Sequence, residues 1–381
     1  MAGVPKLSRR TRWAVPVGVL AITGAVTAGS LISVAQASPG LPPRTPAQLL
    51  AQVADSSNPQ TPPLTGTVVE TTSLGLPSLP NTADPTSIAS LLTGSHTVNV
   101  WYSSPRHFRL AVPGQLSETD VIADGSTVWL WESTANSVTE YSLPAGSKAP
   151  ATSPASAPLT PQQAAQQVLA AVGKTTAVSV DSNVTVAGQP AYELVLAPKD
   201  SRSLVGQVQI AVDGRNGVPL RLQVFARGAS TPAFQVGYTA IQFVTPAPAD
   251  LSFSPPPGAK VTKVNLGSQQ PAGPDSQLSN VSMIGSGWLT VLDLPSAGLT
   301  TPGSSGAAPG SGGSGDSAAV LNALLHSATP VSGSWGSGRL LRTSLVSVLI
   351  TNGGRMFAGA VQPSVLYTAA GQAASSTSQA P

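Results

Sequence analysis

Apolar and polar positions alternate with a period of two along much of the chain. Val98, Val100 and Tyr102 alternate with Asn99 and Trp101, Pro105 interrupts, and Phe108, Leu110 and Val112 resume the pattern. Further on the alternation is cleaner: Tyr192, Leu194 and Leu196, then Val208, Ile210 and Val212, then Leu220, Leu222 and Val224, then Phe234, Val236 and Tyr238. Gln207, Gln209, Arg221, Gln223, Gln235 and Thr239 occupy positions of the other parity. This pattern predicts an antiparallel sheet with one dry and one wet face. Asp124-Gly125 and the run from Asp213-Gly214 to Gly217 predict tight turns. Val128-Trp129-Leu130-Trp131 is apolar on both faces, which fits a strand sandwiched in a core or one lining an apolar cavity.

Two short helices punctuate the strands. Thr45-Pro46-Ala47-Gln48 has an N-cap threonine, proline at the first helical position and glutamine placed to close a capping box, with Leu49, Leu50 and Val53 on the apolar side. The same grammar returns at Thr160-Pro161-Gln162-Gln163, followed by Val168, Leu169 and Val172. Toward the C-terminus the pattern predicts a smaller unit: a strand over Trp288 to Leu294, a helix over Asp316 to Ser327, and a hairpin pairing Leu340–Ile350 with Met356–Val361 around Asn352-Gly353-Gly354. Pro363 to Ala370 adds a helical turn or two. Connectors rich in Pro, Gly, Ser and Ala fall at 144–158, 254–277 and 302–315.

Charge placement changes the picture more than composition does. Of the 19 Lys and Arg, four (Lys6, Arg9, Arg10, Arg12) precede Ala37 and no acidic residue does, which leaves 15 basic against 16 acidic residues in the rest. The body carries no basic stripe for nucleic acid. The basic start, an apolar run from Trp13 to about Val34 and Ala35-Gln36-Ala37 have the order of a secretory signal, with an uncleaved membrane anchor as the alternative. Either places the body outside the cytoplasm. With no cysteine there are no disulfides, thiolate metal sites or cysteine nucleophiles.

Catalytic patterns are missing from the sequence. No Gly-x-Ser-x-Gly elbow and no phosphate-cradling glycine motif occurs, and His96, His107 and His326 lack metal-ligand spacing. Glu118 and Asp120 lie two apart beside Asp124 and are expected to solvate a sheet edge rather than act as an acid–base pair. The expectation is a protein that is not an enzyme and needs no cofactor or metal.

Val100-Trp101-Tyr102-Ser103-Ser104-Pro105-Arg106-His107-Phe108-Arg109-Leu110, followed by Asp124-Gly125-x-x-Val128-Trp129-Leu130-Trp131, resembles the LolA/RseB (MucB)-like superfamily of lipoprotein carriers and envelope-stress regulators. Gly188 to Leu196, Asp213 to Arg221 and Phe253 to Gly258 extend the resemblance over roughly residues 46–264. It implies an α+β, predominantly β fold: a curved antiparallel sheet, an incomplete half-barrel covered by short helices, with a small C-terminal α+β module. The resulting division is a leader or anchor at 1–37, a LolA-like half-barrel lipid-binding domain at 45–265, the module at 279–370 with its Gly/Ser-rich linker at 302–315, and a disordered tail at 371–381. The implied function is extracytoplasmic binding of lipid or lipoprotein acyl chains between the concave sheet and a helical lid. The alternative is an envelope-stress regulator that binds lipid or an anti-sigma factor and signals through the module, with a membrane-bound regulator as its partner. Expected wall residues are Trp101, Phe108, Leu110, Trp129, Trp131, Tyr192, Leu194, Ile210, Leu222, Phe234 and Val236, with Leu49, Leu50, Val53, Val168 and Val172 in the lid. Ordinary core packing is the competing reading for each, and which strand parity faces inward stays open. The carrier family's arginine ahead of the proline is Ser104 here, so its lid-closing role is not carried over.

Overall fold

The computed structural model describes residues 40–56, 61–75, 93–114, 116–143, 160–161, 173, 175–265, 282–295, 324 and 327–377. The expected helix and sheet form directly. Helix α1 (Pro46–Ser56) opens with the capping box read from sequence: Thr45 N–H donates to Gln48 Oε1 at 2.9 Å, and Gln48 N–H donates to Thr45 Oγ1 at 3.3 Å.

Thirteen strands form one sheet: β1 (Leu64–Ser73), β2 (Thr93–Ser104), β3 (His107–Pro113), β4 (Glu118–Asp124), β5 (Thr127–Glu132), β6 (Ser137–Ser142), β7 (Thr176–Val180), β8 (Val184–Val186), β9 (Gln189–Pro198), β10 (Val205–Asp213), β11 (Pro219–Ala226), β12 (Pro232–Gln242) and β13 (Lys260–Asn265). The order is β13-β6-β5-β4-β3-β2-β1-β12-β11-β10-β9-β7, with β8 paired to β9. The sheet is strongly curved and does not close into a barrel. Every pairing is antiparallel except β13 with β6. Strand β13 lies inside the stretch expected to be a connector. Pro255–Gly258 forms only the turn that brings Lys260 beside Ser137.

A second, six-stranded antiparallel sheet has the order β14-β15-β19-β18-β17-β16. Its strands are β14 (Ser282–Ile284), β15 (Val291–Pro295), β16 (Thr329–Gly333), β17 (Gly336–Arg342), β18 (Ser347–Thr351) and β19 (Arg355–Gly359). Three expectations are corrected here. Leu340–Ile350 is not one hairpin arm, because Thr343 turns the chain: its Oγ1 accepts from Val346 N–H at 2.9 Å and Leu345 N–H at 3.3 Å. The segment after Ala370 is not all disordered tail, because the last helix runs over Pro363–Thr377, with Leu366, Ala369, Ala370 and Ala373 buried against Val291, Leu349 and Phe357. Alanine is the strongest helix former, and the small sheet supplies the apolar surface that helix needs. The expected strand over Trp288 to Leu294 begins as a 3₁₀ turn (Gly287–Leu289) and becomes extended only at Val291.

Among the described residues the two sheets are stitched at three places. Leu204 N–H donates to Ala360 O at 2.9 Å and Gln362 N–H to Arg202 O at 2.8 Å. Trp288 Nε1 donates to Thr176 Oγ1 at 2.7 Å. Ser344 N–H donates to Leu74 O at 2.9 Å, and beside it Leu345 joins the core of the large sheet.

Candidate functional site

Paired residues of a β-ladder share a face, so the register sorts the candidate residues. Leu194, Ile210, Leu222, Val236 and Glu70 form one continuous row across five strands. Tyr192 pairs with Val212, and Phe234 lies between Val224 and Thr72. Through β1 and β2 the same face continues to Leu110, opposite Val100, and to Phe108, opposite Tyr102. Leu49 and Val53 of α1, 0% and 1% exposed, pack into the core of this face, which is therefore the inner one. Leu50 is half-buried beside them; Val168 and Val172 lie outside the described residues.

The inner face has two regions of different character. Under α1, Tyr192, Leu194, Ile210, Leu222 and Val236 are 0–1% exposed and packed by the protein's own side chains. Over β2–β5, Tyr102, Phe108, Leu110, Val121 and Leu130 are all only half-buried. Leu110 pairs with both Val100 and Val121, and Val121 with Leu130, so these side chains form one apolar strip pointing the same way as the core. Burial pushes the Tyr238 phenol pKa up, and does the same to Tyr102 against the opposing hydrogen bond from Thr61. Both tyrosines stay neutral on this face.

Helix α1 is seated by the chain around it. Tyr192 Oη donates to Pro42 O at 2.6 Å, the Arg44 guanidinium lies 5.2 Å from the Tyr192 ring centroid, and Arg44 also bonds Gln52 of the helix. Gly217, at φ +78°, lies against Gln52, and a Cβ there would collide with it.

Trp101, Trp129 and Trp131 are not on the inner face. They pair with Arg109, Ile122 and Asp120, which places all three outside. There the chain after β12 crosses back over the sheet through the short helix α2 (Pro248–Leu251), and Phe253 packs against Trp129 and Trp131 at centroid distances of 5.9 and 6.4 Å. The strand that reads apolar on both faces is thus covered outside by this crossing segment. Beneath it lies a buried ion pair. Asp120 is 0% exposed and accepts from Arg109 Nε at 2.9 Å, while Arg109 also stacks 5.4 Å over Trp101. Burial, only partly offset by Arg109, pushes the Asp120 pKa up to about 6, and the neighbouring Glu118 adds to the rise. Asp120 does not solvate an edge as expected, because β4 is an interior strand.

Among the described residues no three His, Cys, Asp or Glu side chains converge as a metal site. No described helix is long and apolar enough to cross a membrane. A groove of 660 Å³ lies where the two sheets meet, lined by Thr175, Trp288, Leu289, Val365 and the Asp200–Arg202 pair, and that pairing holds the Asp200 carboxyl down at about 2.

No protein-family model matches the chain, and no curated protein does. Solved structures do. The complex of MucA and MucB from Pseudomonas aeruginosa is 14% identical, covering 85% of this chain and 96% of that one at a TM-score of 0.41. An uncharacterized conserved protein from Thermus thermophilus is 13% identical over 57% of this chain and 98% of its own, at 0.32. A LolA superfamily protein from Nitrosomonas europaea is 11% identical over 55% and 99%, at 0.22. These are similarities to solved structures at 11–14% identity.

Proposed function

We propose that the protein is an exported, non-enzymatic binder of acyl chains, which lie along the inner face over β2–β5. The observation that carries this reading is the strip Tyr102, Phe108, Leu110, Val121 and Leu130: apolar, inward-facing and half-buried, continuous through Tyr102 and Leu110 with the buried core. Each methylene withdrawn from water there is worth about 0.8 kcal/mol, so a single chain can be held without a polar catalyst. Helix α1 is a fixed wall in this reading rather than a removable lid, since Leu49 and Val53 are core residues.

The test is extraction of the natively purified protein for acyl lipids by mass spectrometry, together with titration of a fluorescent acyl probe. The wild type is expected to bind the probe, and Leu130→Glu, which places a charge on the strip at a half-exposed position, to weaken it at least tenfold. Gln209→Glu, on the outer face, is the control and leaves binding unchanged. A wild type that binds no probe, or a Leu130→Glu variant that binds as the wild type does, refutes the reading.

A second reading, a regulator that docks a membrane-bound partner on the small sheet, rests on Met283 and Leu292, which pair with each other and are 73% and 40% exposed. A photo-crosslinker at position 283 is expected to capture one membrane protein. Absence of any such adduct removes this reading.

A further inference from the structure

The inner face over β3–β6 and β13 changes character from one side to the other. Val112, Thr119, Glu132, Ser137 and Lys260 pair in turn and make one row across these five strands. Leu110, Val121, Leu130, Thr139 and Thr262 make the row beside it. Lys263, three residues after Lys260, meets Glu140 on the outer face, which confirms the inner parity of Lys260. Both rows run the same way. Val112 is buried and Leu110, Val121 and Leu130 are half-buried, whereas Glu132, Thr262 and Lys260 are exposed. The side chains turn polar from Thr119 in the first row and from Thr139 in the second. An amphiphile lying across the strands therefore has one favourable direction, with its tail over β3 and β4 and its head over β5, β6 and β13.

The charges at that end narrow the head. Glu132 and Lys260 are the charged residues at inner positions of β3–β6 and β13. They flank Ser137, whose Oγ donates to Glu132 Oε2 at 3.1 Å, and they stand two strand spacings apart, about 10 Å between Cα atoms. Among the described residues neither forms an ion pair, while Lys263 and Glu140 behind them pair with each other. A head of a single sign would meet a like charge at one of the two positions. A head that carries both signs matches both: a phosphate accepts from Lys260 and from the Thr139 and Thr262 hydroxyls, and an ammonium donates to Glu132.

We propose that Glu132 and Lys260, with the Thr139 and Thr262 hydroxyls between β6 and β13, form a headgroup subsite that selects acyl lipids with a zwitterionic phosphate–ammonium head over purely anionic ones. The inference rests on the acyl-binding reading above and adds the direction of the ligand and the chemistry of its head. It also gives β13, the one parallel strand of the large sheet, a role, since that strand supplies Lys260 and Thr262.

The experiment is displacement of an uncharged fluorescent acyl probe, a pyrene-labelled fatty methyl ester, from the full chain at pH 7 and low salt. The competitors are myristoyl lysophosphatidylethanolamine and myristoyl lysophosphatidylglycerol, which share a tail and differ in the ammonium. The wild type is expected to bind the ethanolamine lipid about fivefold more tightly, the scale of one exposed charge contact. Glu132→Gln is expected to bring the two lipids within about twofold of each other, and Lys260→Gln to weaken both about fivefold. Both positions are exposed, so Tm is expected to be unchanged in either variant. Lys263→Gln, on the outer face, is the control and changes neither lipid. Equal or tighter binding of the glycerol lipid overturns the subsite while leaving acyl binding standing. So do folded Glu132→Gln and Lys260→Gln variants with wild-type affinities, which would make these charges guards of a sheet edge. Failure of both lipids to displace a bound probe also overturns the subsite, and failure of the probe itself to bind overturns the acyl-binding reading with it.

Discussion

Replacing Arg109 by leucine isolates the ion pair beneath the crossing segment. In the wild type Asp120 is fully buried, bonded by the Arg109 fork, and has its pKa raised to about 6. A carboxylate whose folded pKa exceeds its ordinary value binds its proton more tightly folded than unfolded. Its stabilising contribution is therefore complete below about pH 4 and lost as pH rises toward 6, on the order of 3 kcal/mol for a shift of this size. Removing Arg109 takes away the positive charge that bonds Asp120, so the charged form becomes more costly still and the pKa rises further. At pH 8 the loss is expected to be about 2–3.5 kcal/mol: at most about 2.7 kcal/mol from the charged form, since a carboxyl whose pKa passes 8 stays protonated, and roughly 0.5–1 kcal/mol from the lost stacking on Trp101. At pH 5 the variant's Asp120 is protonated and the loss shrinks by at least about 1 kcal/mol. Urea unfolding at pH 5, 6, 7 and 8, followed by tryptophan fluorescence, reads both quantities, because Trp101 and Trp131 adjoin the pair. Equal losses at pH 5 and pH 8, or a loss below about 1 kcal/mol at pH 8, would refute the account of Asp120 as a charge held against burial.

Other outcomes follow from the same contacts. Phe253→Ala should uncover Trp129 and Trp131, shift tryptophan emission to the red and cost about 2–3 kcal/mol in urea unfolding; unshifted emission would mean the crossing segment does not cover them. Thr45→Ala removes the capping-box hydroxyl and should cost about 1 kcal/mol, with hydrogen exchange of the first turn of α1 accelerated. Gly217→Ala combines a left-handed backbone with a collision against Gln52, so a loss of at least about 1 kcal/mol is expected, with faster exchange in α1; a neutral result would show that α1 is not seated on this turn.

Much of the candidate site could be read from residue order, and the part that could not has a definite cause. The parity of Tyr192, Leu194, Ile210, Leu222 and Val236 was visible because their neighbours Gln209, Arg221, Gln223 and Gln235 are polar. Trp101, Trp129 and Trp131 broke that contrast. Parity alone cannot say whether an aromatic faces a hollow or a crossing segment, and Phe253 lies more than 120 residues from its partners in the chain. The burial of Glu70, Thr72 and His96 was not legible, because polar residues at inner positions read as exceptions until pairing with Val236 and Phe234 shows where they sit. The signal available was one of parity: Glu70 is two residues from Val68 and His96 two from Val98.

Local physics was sufficient for the secondary structure of most of this chain. Period-two alternation made strands, Thr45 and Gln48 capped a helix, and Asp-Gly pairs turned hairpins, each acting over a few neighbours. What residue order left open was decided by contacts between distant segments: the direction each strand face takes, the burial of Asp120, and the seating of Leu345 in the core of the other sheet. Those outcomes depend on which surfaces meet after the sheet curves, and the free energy of burial is assigned only once both partners are in place.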